Sequence, residues 1–335
     1  MTDITFSQVQ KSFHKKVVLD IPDFQADSGE IFSIVGGNGA GKSTFIKLLA
    51  GIFLQDKGEV CVHGVSNRSK KIHSLVKFVL ESGQGLYSYL TAMENLQYFL
   101  GLNGSVLSHI KAEVDVLCDQ LAFTPYKDTL VSELSQGNRQ KLTLILALVQ
   151  KPKVLCLDEP TNGLDLLAKK QLMTLLQDYA RYHQASIFIT SHDASFIKKV
   201  STRVVVIQEG RLYRDGTFEE IFGNVHQHEV YHLLLDKSAE SVLRQSFPEL
   251  DYKVLDDRIS VETRNPDLYR LLLEETEVLQ FTREPASLED LLYEVLKCCY
   301  QRLGESLVVN SANTNSSKSI FSLPIWEFSF WLRVF

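Results

Sequence analysis

Short, continuous apolar runs set the pattern of the first two-thirds of this chain. "IFSIV" at 31–35, "VLCLD" at 154–158 and "SIFIT" at 186–190 have no polar alternation. The first ends at glycines, as a buried strand before a turn does. The other two predict strands covered on both faces, the habit of a parallel sheet. "KKVVLD" and "EVCVHGV" add β-rich runs near the N-terminus. Helical periodicity fills the gaps: "STFIKLLAG", closed by Gly51, and "LLAKKQLMTLLQDYARYH". Residues 86–150 read as mostly helical, and "TAMENLQYFLGL" opens on Thr91 and Glu94, spaced as a capping box. Strands alternating with helices predict an α/β fold with a largely parallel sheet.

After about residue 224 the pattern changes. "DYKVLDDRISVET" predicts a hairpin around Asp256 and Asp257. "PDLYRLLLEE", "VLQFT" and "SLEDLLYEVLKCCY" predict helix, strand and helix. The expected organisation is a main domain over 1–224, a small α+β accessory domain over 225–300, and a linker and tail over 301–335. The tail's apolar end, residues 320–335, holds Pro324, Glu327 and Arg333. It is shorter than the ~20 residues that cross a bilayer. It reads as an irregular segment, with a membrane interface or a permease as alternative docking places.

Composition narrows the partners. The chain has 335 residues, 44% of them hydrophobic, and a formal charge of −6. No basic face is evident, which argues against nucleic acid as the main partner. Cys61, Cys118, Cys156, Cys298 and Cys299 fit no zinc or disulfide spacing. The first residues lack a signal peptide's apolar core, so a reducing cytosol is the expected home. No apolar stretch is long enough to form a membrane pathway.

The chemistry sits in "GGNGAGKST": Gly36, Gly37, Asn38, Gly39, Ala40, Gly41, Lys42, Ser43 and Thr44. The spacing is that of a phosphate-binding loop between a strand and a helix. Glycines let backbone N–H groups turn inward, and the helix N-terminus favours an anion. Lys42 would reach the β- and γ-phosphates, and the Ser43 hydroxyl would hold Mg²⁺. "VLCLDEP" ends a strand in Asp158 and Glu159. Asp158 can orient the metal's water shell and Glu159 can act as general base.

"LSQGNRQ", Leu134–Gln140, lies shortly before "VLCLDEPTNGLD". With these motifs the chain resembles the ATP-binding cassette (ABC) ATPase family, densely over residues 2 to about 222 and loosely over 225–300. The resemblance implies a P-loop NTPase fold with an N-terminal antiparallel β part and a helical subdomain. It implies that Phe13 stacks on adenine. It implies that Ser135 and Gly137 bind the γ-phosphate of ATP held by a second copy or a related ATPase. Asp165 would link the two sites, and His192, in "FITSHD", would contact the γ-phosphate and the attacking water. The family most often has LSGGQ where this chain has "LSQGN", which keeps Ser135 and Gly137. Where relatives place a glutamine touching Mg²⁺, Glu81 aligns, with Gln84 as the alternative if the loop is displaced.

The expected cofactors are ATP and Mg²⁺, and the expected partner is a transmembrane permease. "GLYSYLTAMENLQYFLGL" most resembles ATPases that drive export of drugs, antibiotics or polysaccharides. The competing readings are a soluble ABC clamp on ribosomes or nucleic acid and a regulatory switch without useful hydrolysis. "HEVYH", 228–232, matches a zinc-peptidase pattern, but no third histidine follows, so an exposed helix is the expected outcome there.

Overall fold

The computed structural model describes residues 3–80, 85–102, 104, 106–223, 229–247, 250–263, 266–285, 287–292 and 295. Glu81, Gln84, His228 and the tail 320–335 lie outside the described residues. The chain divides into two compact units, 1–293 and 294–335. Of the second unit Val295 alone is described.

The first strands are β1 (Ile4–Phe13), β2 (Lys16–Ala26), β3 (Ile31–Val35), β4 (Lys57–Val62) and β5 (Val65–Ser66). They are followed by β6 (Val76–Val79), β7 (Val154–Asp158), β8 (Ser186–Thr190), β9 (Arg203–Gln208) and β10 (Arg211–Gly216). One sheet has the order β2-β1-β4-β5 and is antiparallel. The central six-stranded sheet has the order β10-β9-β3-β8-β7-β6. Its members from β9 to β6 pair in parallel, and β10 joins antiparallel at the edge.

The apolar runs are continuous because the central sheet is covered on both faces. On β7, Val154 and Cys156 enter one core while Leu155 and Leu157 enter the other. On β8, Phe188 splits the same way from Ile187 and Ile189. Helix α1 (Lys42–Leu49) presses Phe45, Ile46, Leu48 and Leu49 into the first core, and the single turn α2 (Ile72–Leu75) adds Ile72 and Leu75. Phe45 stacks on Phe6 at 4.5 Å between centroids, and Phe32 stacks on Phe188 at 4.6 Å. Each fully buried Phe or Leu contributes roughly 1.5–3 kcal/mol relative to an exposed one, so α1 is firmly anchored.

The second core takes its cover from α3 (Ala92–Leu102), α4 (Leu107–Gln120), α5 (Gln136–Leu148) and α6 (Leu166–His183). The Thr91–Glu94 capping box forms. The Thr91 N–H donates to Glu94 Oε2 at 2.8 Å, and the Glu94 N–H donates to Thr91 Oγ1 at 3.2 Å.

The region beyond 228 runs β11 (Glu229–Asp236), a helix at Glu240–Ser246, β12 (Tyr252–Leu255), β13 (Arg258–Thr263), a helix at Pro266–Glu275 and β14 (Val278–Pro285). Its antiparallel sheet has the order β12-β13-β11-β14, a split βαβ arrangement with a core of its own. The hairpin turns at Asp256 and Asp257 between β12 and β13, as the sequence predicts.

Two expectations fail. "EVCVHGV" is not one strand: it folds back at His63 and Gly64, where both residues adopt positive φ, and β4 pairs with β5. "HEVYH" does not open a helix. Glu229–His232 belong to β11, whose Tyr231, Leu233 and Leu235 alternate into the core. An extended Glu229–His232 does not supply the helical turn on which a zinc peptidase sets its histidines. Among the described residues no group of three metal-ligating side chains converges. No described helix is long and apolar enough to cross a membrane.

Candidate active site

Three neighbouring strands, β3, β8 and β7, deliver the site from their C-terminal ends. In open parallel sheets that end is where ligands bind. β3 runs into the glycine loop and then α1. A side chain could not occupy position 36, because a Cβ there would lie 2.1 Å from the Ile207 carbonyl oxygen. Gly41 holds φ at 107° and caps the start of α1. The loop therefore passes close against the sheet and releases its amides at a helix N-terminus, the arrangement that receives phosphate.

The Lys42 ammonium donates to the carbonyls of Gly36 at 2.8 Å and Gly37 at 3.1 Å, so it lies along the loop it would serve. Burial holds this amine below its ordinary pKa, against the opposing pull of Glu159 and Asp158. The Ser43 hydroxyl faces Asp158 Oδ1 at 3.4 Å. The two are hard oxygen donors at the mouth of the loop, as Mg²⁺ requires, since that ion keeps most of its waters and uses few protein ligands.

Glu159 follows at the tip of β7 with φ at 47°, a left-handed conformation unusual for a side-chain-bearing residue. Its carboxylate lies 3.4 Å from His192 Nε2. Burial raises its pKa above the ordinary carboxylate value, outweighing the lowering by His192 and Lys42. A partly desolvated carboxylate beside a histidine can accept a proton from water.

Phe13 ends β1, is 37% exposed, and meets Phe53 edge-on at 5.3 Å. Lys11 places its ammonium 5.2 Å from the Phe13 ring centre. An aromatic face on a rigid hairpin suits a stacked base.

Ser135, Gly137 and Asp165 lie at the starts of α5 and α6. Ser135 caps α5, accepting from the Asn138 N–H at 3.2 Å. Asp165 caps α6, accepting from the Ala168 N–H at 2.7 Å. A Cβ on Gly137 would sit 2.6 Å from the Gly163 carbonyl oxygen, so glycine is needed for α5 to approach the loop before Asp165. Ser135 and Asp165 each bond within the first turn of their own helix.

Sequence reasoning missed a run of contacts from the end of β8. Thr190 bonds Asp158 and Glu159, the Ser191 hydroxyl lies 3.3 Å from that of Thr161, and Asp193 accepts from the Lys169 ammonium at 2.7 Å. Burial pushes the Asp193 carboxyl up, but Lys169 and the helix amides bring it below its ordinary value. The available signal was polar residues crowding the end of an apolar strand beside His192.

Residues 19–162 match the family model described as "ABC transporter". The bacitracin transport ATP-binding protein BcrA of Bacillus licheniformis is 29% identical over 88% of this chain and 97% of its own. A methionine import ATP-binding protein, MetN 1 of Staphylococcus aureus, is 29% identical over 83% of this chain and 82% of its own. Among solved structures, cbiO1 of Clostridium perfringens, part of the ABC transporter complex cbiONQ, matches with a TM-score of 0.60 at 26% identity, covering 67% of this chain and 91% of that one. With the phosphate loop, the strand-tip carboxylates and the signature segment in place, this chain carries an ABC transporter ATP-binding domain.

Proposed function

We propose that this chain is the ATP-hydrolysing subunit of an exporter, driving a separate transmembrane permease from the inner face of the cell membrane through ATP-dependent dimerisation. The observation that carries the hydrolytic reading is the half-buried Glu159 carboxylate at a strand tip, 3.4 Å from His192 and next in sequence to Asp158.

The loop amides of Gly36–Thr44 and the Lys42 ammonium would bind the phosphates of ATP, with Phe13 under the adenine. Mg²⁺, held by Ser43 and Asp158, would neutralise charge on the β- and γ-oxygens. The family resemblance adds Glu81, or Gln84, to that side of the site. Glu159 would take the proton of the attacking water, with His192 keeping water and carboxylate in line. Catalysis of this kind is positioning and electrostatics rather than covalent chemistry.

Ser135 and Gly137 of a second copy would close over the γ-phosphate, and Asp165 would couple the two sites. Leu166 and Leu167, 73% and 67% exposed directly after Asp165, are apolar surface suited to cover by such a copy. Tyr89, Tyr98 and Leu102 are exposed on and before α3, where the permease would dock. We take residues 1–224 as the engine, 225–300 as an accessory domain and 301–335 as a linker and tail.

The relatives named above include a bacitracin transport protein and a methionine import protein at equal identity. Export is therefore tested directly. The chain is co-expressed with the membrane protein encoded beside it, and the pair is reconstituted in vesicles. ATP supplied on the face carrying this chain is expected to drive substrate toward the opposite face. Transport toward the ATP-bearing face would make it an importer, and no co-purification would remove the permease.

A further inference from the structure

Strand β8 lies between the strand that feeds the phosphate loop and the strand that ends in the carboxylates. Its last residue, Thr190, is in register with Ile34 on one side and Asp158 on the other. The side chain is 1% exposed. A hydroxyl has one proton to donate and lone pairs to accept with. Here the proton goes to Asp158 Oδ1 at 2.6 Å. The oxygen accepts from the Glu159 N–H at 3.1 Å, and the Thr190 carbonyl accepts from the same N–H at 3.1 Å. One residue thus grips the carboxylate proposed for the metal and the backbone of the proposed base.

We infer that Thr190 is a positioning residue for hydrolysis: its hydroxyl fixes the rotation of the Asp158 carboxylate and the left-handed turn of Glu159 in a single arrangement. The inference rests on the roles given to Asp158 and Glu159 above.

Three observations raise it above a buried hydroxyl that merely finds a partner. The three residues before Thr190 in β8 are the apolar Ile187, Phe188 and Ile189, so its hydroxyl ends a hydrophobic run at the position in register with Asp158. The bond to Asp158 is charge-assisted, hence directional and stronger than a neutral one. Glu159 has φ at 47°, a conformation that persists only where surrounding contacts over-determine it. Both Thr190 bonds to its N–H do that. The Ser43 hydroxyl reaches the same Asp158 oxygen at 3.4 Å, so Thr190 ties the loop-side and base-side halves of the site to one carboxylate.

The neighbours extend the grip. Ser191 meets Thr161, His192 meets Glu159 and Asp193 meets Lys169. Four successive residues at the end of β8 therefore hold the segment from Asp158 into α6. Thr190 is the member that touches both acidic residues of the site.

The test compares Thr190→Val, Thr190→Ala and Thr190→Ser in the full chain with the unaltered protein. Two quantities are read: the gain in labelled-ATP affinity on adding Mg²⁺, and steady-state ATP turnover. Valine and alanine are expected to reduce both by about tenfold to a hundredfold, the worth of one hydrogen bond to a charged group. ATP binding without Mg²⁺ should not change, because the glycine loop is untouched. Serine should restore both quantities. Valine with an unaltered Mg²⁺ gain would overturn the proposal, and so would serine as impaired as valine. Melting curves check folding. Loss of folding in both valine and alanine also counts against it, since the β8 ladder uses only backbone groups. Asp158→Asn separates the underlying reading. If that change leaves the Mg²⁺ gain intact, the metal assignment fails whatever the Thr190 variants do.

Discussion

Glu159 has two opposed demands on it. As a base it must be ionised, yet burial raises its pKa above the ordinary 4.5. The sign follows directly. The folded protein holds this proton more tightly than the unfolded chain, so the group favours the folded state at low pH. That contribution is lost as pH rises through the raised pKa. At neutral pH the buried charge costs stability. Glu159→Gln removes it, and a melting curve at neutral pH should show a higher Tm than the unaltered protein. The same change should lower ATP turnover by roughly 10²–10⁴-fold, the contribution of a positioned base. Unchanged turnover would remove Glu159 from the mechanism. The acid limb of turnover against pH is expected to lie above 4.5, and His192→Gln should move it higher, because His192 lowers the Glu159 pKa. A limb that stays put would separate His192 from the titration of Glu159.

At the scale of elements, Asp165 shows how a structural and a functional role share one residue. It caps α6 through the Ala168 N–H. Removing a cap costs about 1 kcal/mol, and Asn caps as well as Asp. Asp165→Ala is therefore expected to lower Tm, while Asp165→Asn keeps it. If the carboxylate also couples the two nucleotide sites, Asp165→Asn lowers turnover despite its normal stability. Full turnover in the Asn variant would leave Asp165 as a cap alone.

What was legible in the sequence follows the same division. The glycine loop, Asp158 and Glu159 are contiguous motifs, so their chemistry can be read from spacing. The central strands were legible because apolar runs such as "VLCLD" are covered on both faces. The grip of Thr190 was not, because it depends on which residue of β7 lies opposite which residue of β8. "HEVYH" misled in the opposite direction: a helical motif was given weight over the alternation of Tyr231, Leu233 and Leu235, which marks a strand. His63 and Gly64 carried an equally clear turn signal inside "EVCVHGV". The close approach of α5 to Gly163 at Gly137 was not legible either, because spacing does not encode that contact.

For the whole molecule, the central point is the head-to-tail pairing proposed above. One half of the proposed site consists of the glycine loop, Asp158 and Glu159. The other contains a capped helix start and an aspartate beside exposed leucines. In the proposed dimer a second copy placed head to tail would join the two. The region beyond 228 has a sheet and a core of its own.

The most direct measurement is sedimentation of the full-length Glu159→Gln chain with ATP and Mg²⁺, with bound nucleotide counted in each species. The account predicts a dimer that retains one ATP per chain and falls apart when ATP is withheld or when Lys42→Ala is added. A monomer that retains no nucleotide under those conditions, from material that melts cooperatively, would contradict it.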